Sequence, residues 1–157
     1  MNGRVMIWII IIVGILLAIF LFTRGSKQNL PNNNQEVSII FEKSSEPLPN
    51  INVMKQAVIR SEQEWKDIMG SPSSIDFSTK TALLVAMGQR MNGGYGIEIL
   101  SVIQKEGKIN VAVDMISPGK NCITTQVVNY PSVLLLIPKT DKEVNWIITN
   151  TIKDCPQ

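Results

Sequence analysis

An unbroken run of eighteen apolar residues, Val5 to Phe22, constrains this chain before anything else does. Fourteen of the eighteen are Leu, Ile, Val or Phe, and the run is bracketed by Arg4 on one side and by Arg24 and Lys27 on the other. So many isoleucines would favour a strand in water. In lipid, however, the backbone finds no hydrogen-bond partner outside its own segment, which imposes a helix. At 1.5 Å per residue the helix would be about 27 Å long, close to the hydrocarbon thickness of a bilayer, and its entry into lipid gains on the order of 4 to 8 kcal/mol. The exit, Phe20-Leu21-Phe22-Thr23-Arg24, offers no small-x-small cleavage site and no neighbouring cysteine. An uncleaved transmembrane anchor is therefore expected over residues 1–23, rather than a signal peptide or a lipid anchor. Positive charge is similar on both flanks, so orientation rests on the short head. Four residues precede the run and a large C-terminal part follows it, which favours a single-pass protein of the cell membrane with its C-terminal domain extracytoplasmic.

Residues 24–36 (RGSKQNLPNNNQE) are polar, carry Pro31 and three consecutive asparagines, and show no apolar periodicity, as a flexible linker does. One extracytoplasmic domain is then expected over 37–157. A chain that is 45% hydrophobic and 18% charged can build a packed core there.

Alternation at period two dominates this domain. Val37, Ile39 and Phe41 begin a first strand and Ile51 to Ile59 a second. Thr81 to Met87 is a short apolar strand, Gly96 to Ile103 follows, and Lys108 to Met115 alternates strictly. Glu106-Gly107 suits a tight turn that pairs the last two as a hairpin. Ile123 to Val128 and Val133 to Ile137 read as further strands, and Val144 to Thr149 as an edge strand. The period changes once. Ser61-Glu62-Gln63-Glu64 has the form of a capping box, with Trp65, Ile68 and Met69 at helical spacing and Gly70 and Pro72 as a stop. Ile75 and Phe77 are expected to plug the core, as is Trp65, with Trp146 packing the last strand. The fold class is β-dominated (α+β): an antiparallel, sandwich-like domain with one short helix.

Between two of these strands lies Gly88-Gln89-Arg90-Met91-Asn92-Gly93-Gly94-Tyr95-Gly96, with four of the ten glycines of the chain. Asn92-Gly93 is the pair that best tolerates a type I′ hairpin turn, so the plain reading is a hairpin with a bulge. The other reading is a loop that presents Arg90 and Tyr95 to a partner. A phosphate cradle does not fit, because the loop lacks a Gly-Lys-Ser/Thr end and leads into a strand rather than a helix.

In the order Gly88-Gln89-Arg90-x-x-Gly93-Gly94-Tyr95, then Ile97 and Ile99, then Cys122-x-x-Thr125-Gln126 and Tyr130-Pro131 leading to Ile137-Pro138-Lys139, the sequence resembles the C-terminal domain of the PrcB family of protease complex subunits. The upstream Glu64-Trp65 and Ile75-Asp76-Phe77 fit as well, and the resemblance spans Val53 to Lys139. The chain departs from the pattern at Met91-Asn92, where proline-threonine is expected, in its transmembrane run, and in a tail after Lys139. The resemblance implies a non-catalytic subunit that associates with a secreted serine protease and supports its stability. The partner-binding residues expected on this basis are Arg90, Asn92, Gly93, Gly94, Tyr95 and Tyr130.

Composition narrows the remaining classes. The chain has no histidine, which removes Ser-His and Cys-His nucleophile activation, imidazole metal ligation and the commonest general base together. A net charge of +2 without a basic cluster gives no footprint for nucleic acid. No metal-ligand spacing occurs, so neither cofactor nor metal is expected. Glu62, Glu64 and Asp67 read as a solvated helix face, and Asp76 and Asp114 stand isolated. Cys122 and Cys155 either pair in the exported domain or remain two separate thiols. The leading expectation is a membrane-anchored, non-enzymatic domain that binds another protein. A small-ligand or cell-wall-polymer binding module is the alternative, and an enzyme working with carboxylates alone is the third.

Overall fold

The computed structural model describes residues 36–155. The expected anchor and nearly all of the expected linker fall outside them. No helix among the described residues is long and apolar enough to cross a membrane.

Two four-stranded sheets carry the fold. Their elements are β1 (Val37–Ser38), β2 (Glu42–Lys43), β3 (Met54–Ile59), α1 (Glu62–Met69), β4 (Lys80–Met87), β5 (Gly96–Lys105), β6 (Lys108–Pro118), β7 (Ser132–Pro138) and β8 (Val144–Lys153). One sheet has the order β1-β5-β6-β8 and the other β2-β7-β4-β3. The β-dominated reading with a single short helix is borne out for the described residues.

The strand β4 shows why its sequence does not alternate. Leu83, Val85 and Met87, together with Leu135 and Ile137 of the neighbouring β7, face the other sheet, where they meet Val102 of β5 and Ile109, Val111, Val113 and Met115 of β6. Ala82, Leu84 and Ala86, on the opposite face, form a second core with Ile59, Leu134, Trp65 and Met69. A strand covered on both faces needs apolar residues at every position. Its neighbours β3 and β7 pair with it antiparallel, in register from Met54↔Met87 and Ala86↔Ser132.

The helix begins as its sequence requires. The Ser61 hydroxyl accepts from Glu64 N at 3.2 Å, and Glu64 Oε2 accepts from Arg60 N at 2.6 Å, one residue before the position a standard box would use. Gly70 ends it in the left-handed conformation (φ 74°), donating to Lys66 O. Trp65 is almost fully buried, with Phe77 at 6.3 Å between ring centroids, and Ile75 packs beside them.

Four expectations are corrected. The sheet is not wholly antiparallel: β8 runs parallel to β6 from Ile109↔Val144 to Pro118↔Lys153. The chain leaves β6, crosses to the opposite sheet as β7, and returns to enter its first sheet from the same end as β6 did. The expected first strand is divided, since β1 pairs with β5 and β2 with β7, and Ile39 and Phe41 drop into the core as the chain changes sheets. Residues 123–128 form no strand; Ile123 and Val127 are exposed. Lastly, the glycine-rich stretch is no hairpin. It joins β4 of one sheet to β5 of the other, two strands that are not paired. The hairpin of β5 and β6 does form, with Glu106 and Gly107 both at positive φ (51° and 78°), as a type I′ turn requires.

Candidate functional site

Because residues 88–95 must cross the thickness of the sandwich, their backbone groups cannot be satisfied by a tight turn. They pair instead with a second loop, residues 119–131. Met87 N donates to Pro131 O, Arg90 and Asn129 exchange both backbone hydrogen bonds at 2.9 Å, and Gly93 N donates to Thr125 O at 2.8 Å. The Asn129 side-chain amide adds a bond to Asn92 O. Thus Arg90, Asn92 and Gly93 are zipped to the segment that carries Tyr130, itself half-buried between Asn129 and Pro131. The glycines serve close approach. A Cβ on Gly93 would meet the Thr125 hydroxyl, and Gly94, at φ 88°, lies against Pro118 and Thr124.

The Arg90 guanidinium sits over the Tyr95 ring, 5.3 Å from its centroid. Such a pair contributes about 0.5 to 1 kcal/mol where it is partly exposed. Both residues are half-buried. Among the described residues, Arg90 Nε and Asn129 Oδ1 are buried without a hydrogen-bond partner. The two side chains singled out as contact residues are therefore engaged first with each other, and they stiffen the loop.

The freely presented side chains at this end of the sandwich are different ones. Met91 is 71% exposed, and Val127 and Val128 flank the segment paired to its loop at 63% and 41%. Val53, 68% exposed, belongs to the segment whose Asn52 carbonyl accepts from Gln89 N. Sequence reasoning missed Met91, which it took for a departure from a pattern, and it assigned Val127 and Val128 to a strand. Apolar residues in a glycine- and asparagine-rich context were the signal available.

The structure joins Cys122 and Cys155 in a disulfide, with Cα atoms 5.3 Å apart. It ties the 119–131 loop to the end of β8, where Gly119 N also donates to Lys153 O. A shallow recess of about 340 Å³ lies between this tie and the glycine loop, lined by Gly94, Pro118, Ile123 and Thr124 among others.

Elsewhere, a recess of about 410 Å³ brings together Glu42, Glu46, Asp76 and Lys80, an association invisible in the sequence. Both Glu46 and Asp76 are held below the ordinary carboxylate range, Glu46 by hydrogen bonds from the Ser74 hydroxyl and backbone, Asp76 by those from Ser78 and then Thr79. A glycosidase pair needs one carboxyl raised so that it can donate a proton, and neither is. No cluster of metal-ligating side chains occurs among the described residues.

These two carboxylates give a pH prediction. A group whose folded pKa is depressed contributes stability above its unfolded pKa and loses it as pH falls through the folded value. Carboxyl carbon NMR should therefore give midpoints below 4.5 for Glu46 and below 3.8 for Asp76. The Ser74 and Ser78 amides should shift with them in the same acid range. Midpoints at or above those values would contradict the hydrogen bonding described.

Residues 81–138 match the family described as PrcB C-terminal. The resemblance read from the glycine loop onward is borne out over that stretch, which contains both loops of the site. No curated protein and no solved structure matches the chain.

Proposed function

Since residues 81–138 match the family described as PrcB C-terminal, we propose that the chain is a membrane-anchored, non-catalytic subunit whose extracytoplasmic domain binds and stabilises an exported protease through the paired loops 88–95 and 119–131. The observation that carries this reading is the construction of that end: a backbone zipper and an Arg90–Tyr95 stack hold apolar Met91, Val127 and Val128 out in solvent. Rigid exposed apolar side chains on a buttressed loop are what a protein contact surface needs, because little conformational entropy is lost on binding. Supporting the non-catalytic part are the missing histidine and the two depressed carboxylates.

The test is affinity capture from surface extracts with the full chain in detergent. An exported protease should be enriched, and Met91→Asp should lower its recovery at least about tenfold, the loss expected when a contact of more than 1.4 kcal/mol is removed. Arg90→Ala with Tyr95→Ala should act in the same direction by loosening the loop. Capture without any exported protease, or capture indifferent to Met91→Asp, would overturn the proposal. The recess beside Gly94 supports a second reading, a site for a small ligand or a cell-wall polymer. In that case wall fragments, rather than a protein, would raise the melting temperature.

A further inference from the structure

The outer edge of β8 is open among the described residues: β6 is the one strand it pairs with. The phase of that edge can be worked out. The carbonyls of Glu143 and Lys153 accept from Ile109 N and Gly119 N, and the register between them is unbroken. Backbone polar groups alternate sides along a strand, so the odd-numbered residues point theirs at β6. The even-numbered five, Val144, Trp146, Ile148, Asn150 and Ile152, each turn one N–H and one C=O to the open side. Natural edges of this length are blunted by charges, proline, glycine or a bulge. From Val144 to Ile152 this strand has none of them, and Ile152 is 72% exposed.

We propose that β8 is a dimerisation edge, on which β8 of a second copy of this chain adds antiparallel, with the two-fold axis at Ile148. Symmetric antiparallel pairing is self-complementary, and it must match even with even residues if the inner faces are to coincide. One register alone pairs all five outward residues with one another: Ile148 opposite Ile148, Trp146 opposite Asn150, and Val144 opposite Ile152. Shifting the axis by one residue either way leaves an outward residue unpaired at each end. The same register sets Lys153 opposite Glu143 of the second copy, twice per dimer, beside the exposed Lys108–Glu143 ion pair already present at 2.9 Å. It also gives Ile152 an apolar neighbour in Val144, which with Trp146 and Ile148 packs on the core between the sheets. No like charges oppose each other. The occupant is thus a second copy, selected by hydrogen-bond parity, apolar matching and charge in a single register.

The experiment uses the full chain in detergent. Sedimentation should show a dimer. In mixtures of Asn145→Cys chains with Thr151→Cys chains, oxidation should cross-link one variant to the other in preference to itself. Those two positions oppose each other across a non-hydrogen-bonded pair, where Cα atoms are about 4.5 Å apart, within disulfide range. Asn150→Pro should raise the dimer dissociation constant by on the order of tenfold or more, because the axis removes two hydrogen bonds at once. Its melting temperature at high dilution should stay near that of the unaltered chain, since the lost N–H faces away from β6. A monomer at all concentrations would overturn the proposal, whether β8 is then bare or covered by residues 1–35. So would a dimer that survives Asn150→Pro, or one whose cross-links favour like positions.

Discussion

Gly88→Ala should destabilise the chain by about 3 kcal/mol, while Gly107→Ala, at nearly the same backbone angle, should cost only about 1 to 2. The two glycines have φ of 79° and 78°, so the left-handed strain on an added side chain is the same at both. What differs is the space. At Gly107 a Cβ would meet nothing within 4 Å; at Gly88 it would stand 2.9 Å from backbone atoms of Asn52, Val53 and Met54. Backbone cannot rotate out of the way as a flexible side chain does. Either the start of β3 shifts away from β4, breaking the Gln89–Asn52 hydrogen bond, or the glycine loop leaves its path. Denaturant unfolding of both variants in parallel isolates the collision from the strain. Equal losses would mean that Gly88 serves conformation alone and that the close packing of β3 on the loop has no energetic weight. The substitution also bears on function, because Gly88 sets the direction in which the loop departs toward Met91. A loss of partner capture larger than the loss of stability predicts would follow from that re-aiming.

Much of this fold can be read from period and punctuation. Ser61 and Gly70 bound the helix, Glu106-Gly107 closes the one tight hairpin, and the two-sided burial of β4 is written in its continuous apolar run. A subtler signal was present in β5. Ile97 and Ile99 fall on odd numbers but the buried Val102 on an even one, and the structure places a bulge between Ile99 and Ser101 that leaves Leu100 55% exposed. Local pattern could not say which strands meet. Asn92-Gly93 suits a hairpin turn wherever the strands beside it are partners, but β4 and β5 lie in different sheets, and that is decided by packing across the whole domain. The parallel pairing of β8 is likewise a consequence of topology, since an edge strand alternates in the same way in either direction. Residues 123–128 alternate well enough for a strand, yet hydrogen bonds to the glycine loop and the disulfide hold them outside both sheets. The site was thus legible in its glycines and its family pattern. Its exposed surface was not, because exposure depends on which loop lies beside which.

At Trp65 the expected loss is larger. Trp65→Ala should cost about 3 to 5 kcal/mol, the range for deleting a buried aromatic side chain. The residue is 1% exposed and joins the helix to Ile59, Ala82, Leu84 and Leu134, with Phe77 closing one side. Deleting the indole removes the main contact by which an eight-residue helix, too short to persist alone, is held on its sheet. Trp65→Phe is expected to behave quite differently. The indole Nε1–H is buried and finds no acceptor among the described residues, a burden of about 1 to 3 kcal/mol that phenylalanine does not carry. Its absence should offset most of the lost volume, so that Trp65→Phe lowers stability by less than about 1.5 kcal/mol. Calorimetry on the two variants checks the pair of values. If phenylalanine proves as damaging as alanine, the indole N–H is satisfied in solution and the helix-side core is organised around a polar contact. Neither variant touches the 88–95 or 119–131 loops, so Trp65→Phe should capture partner as the unaltered chain does. That independence separates a binding surface built at the loops from one spread over the helix.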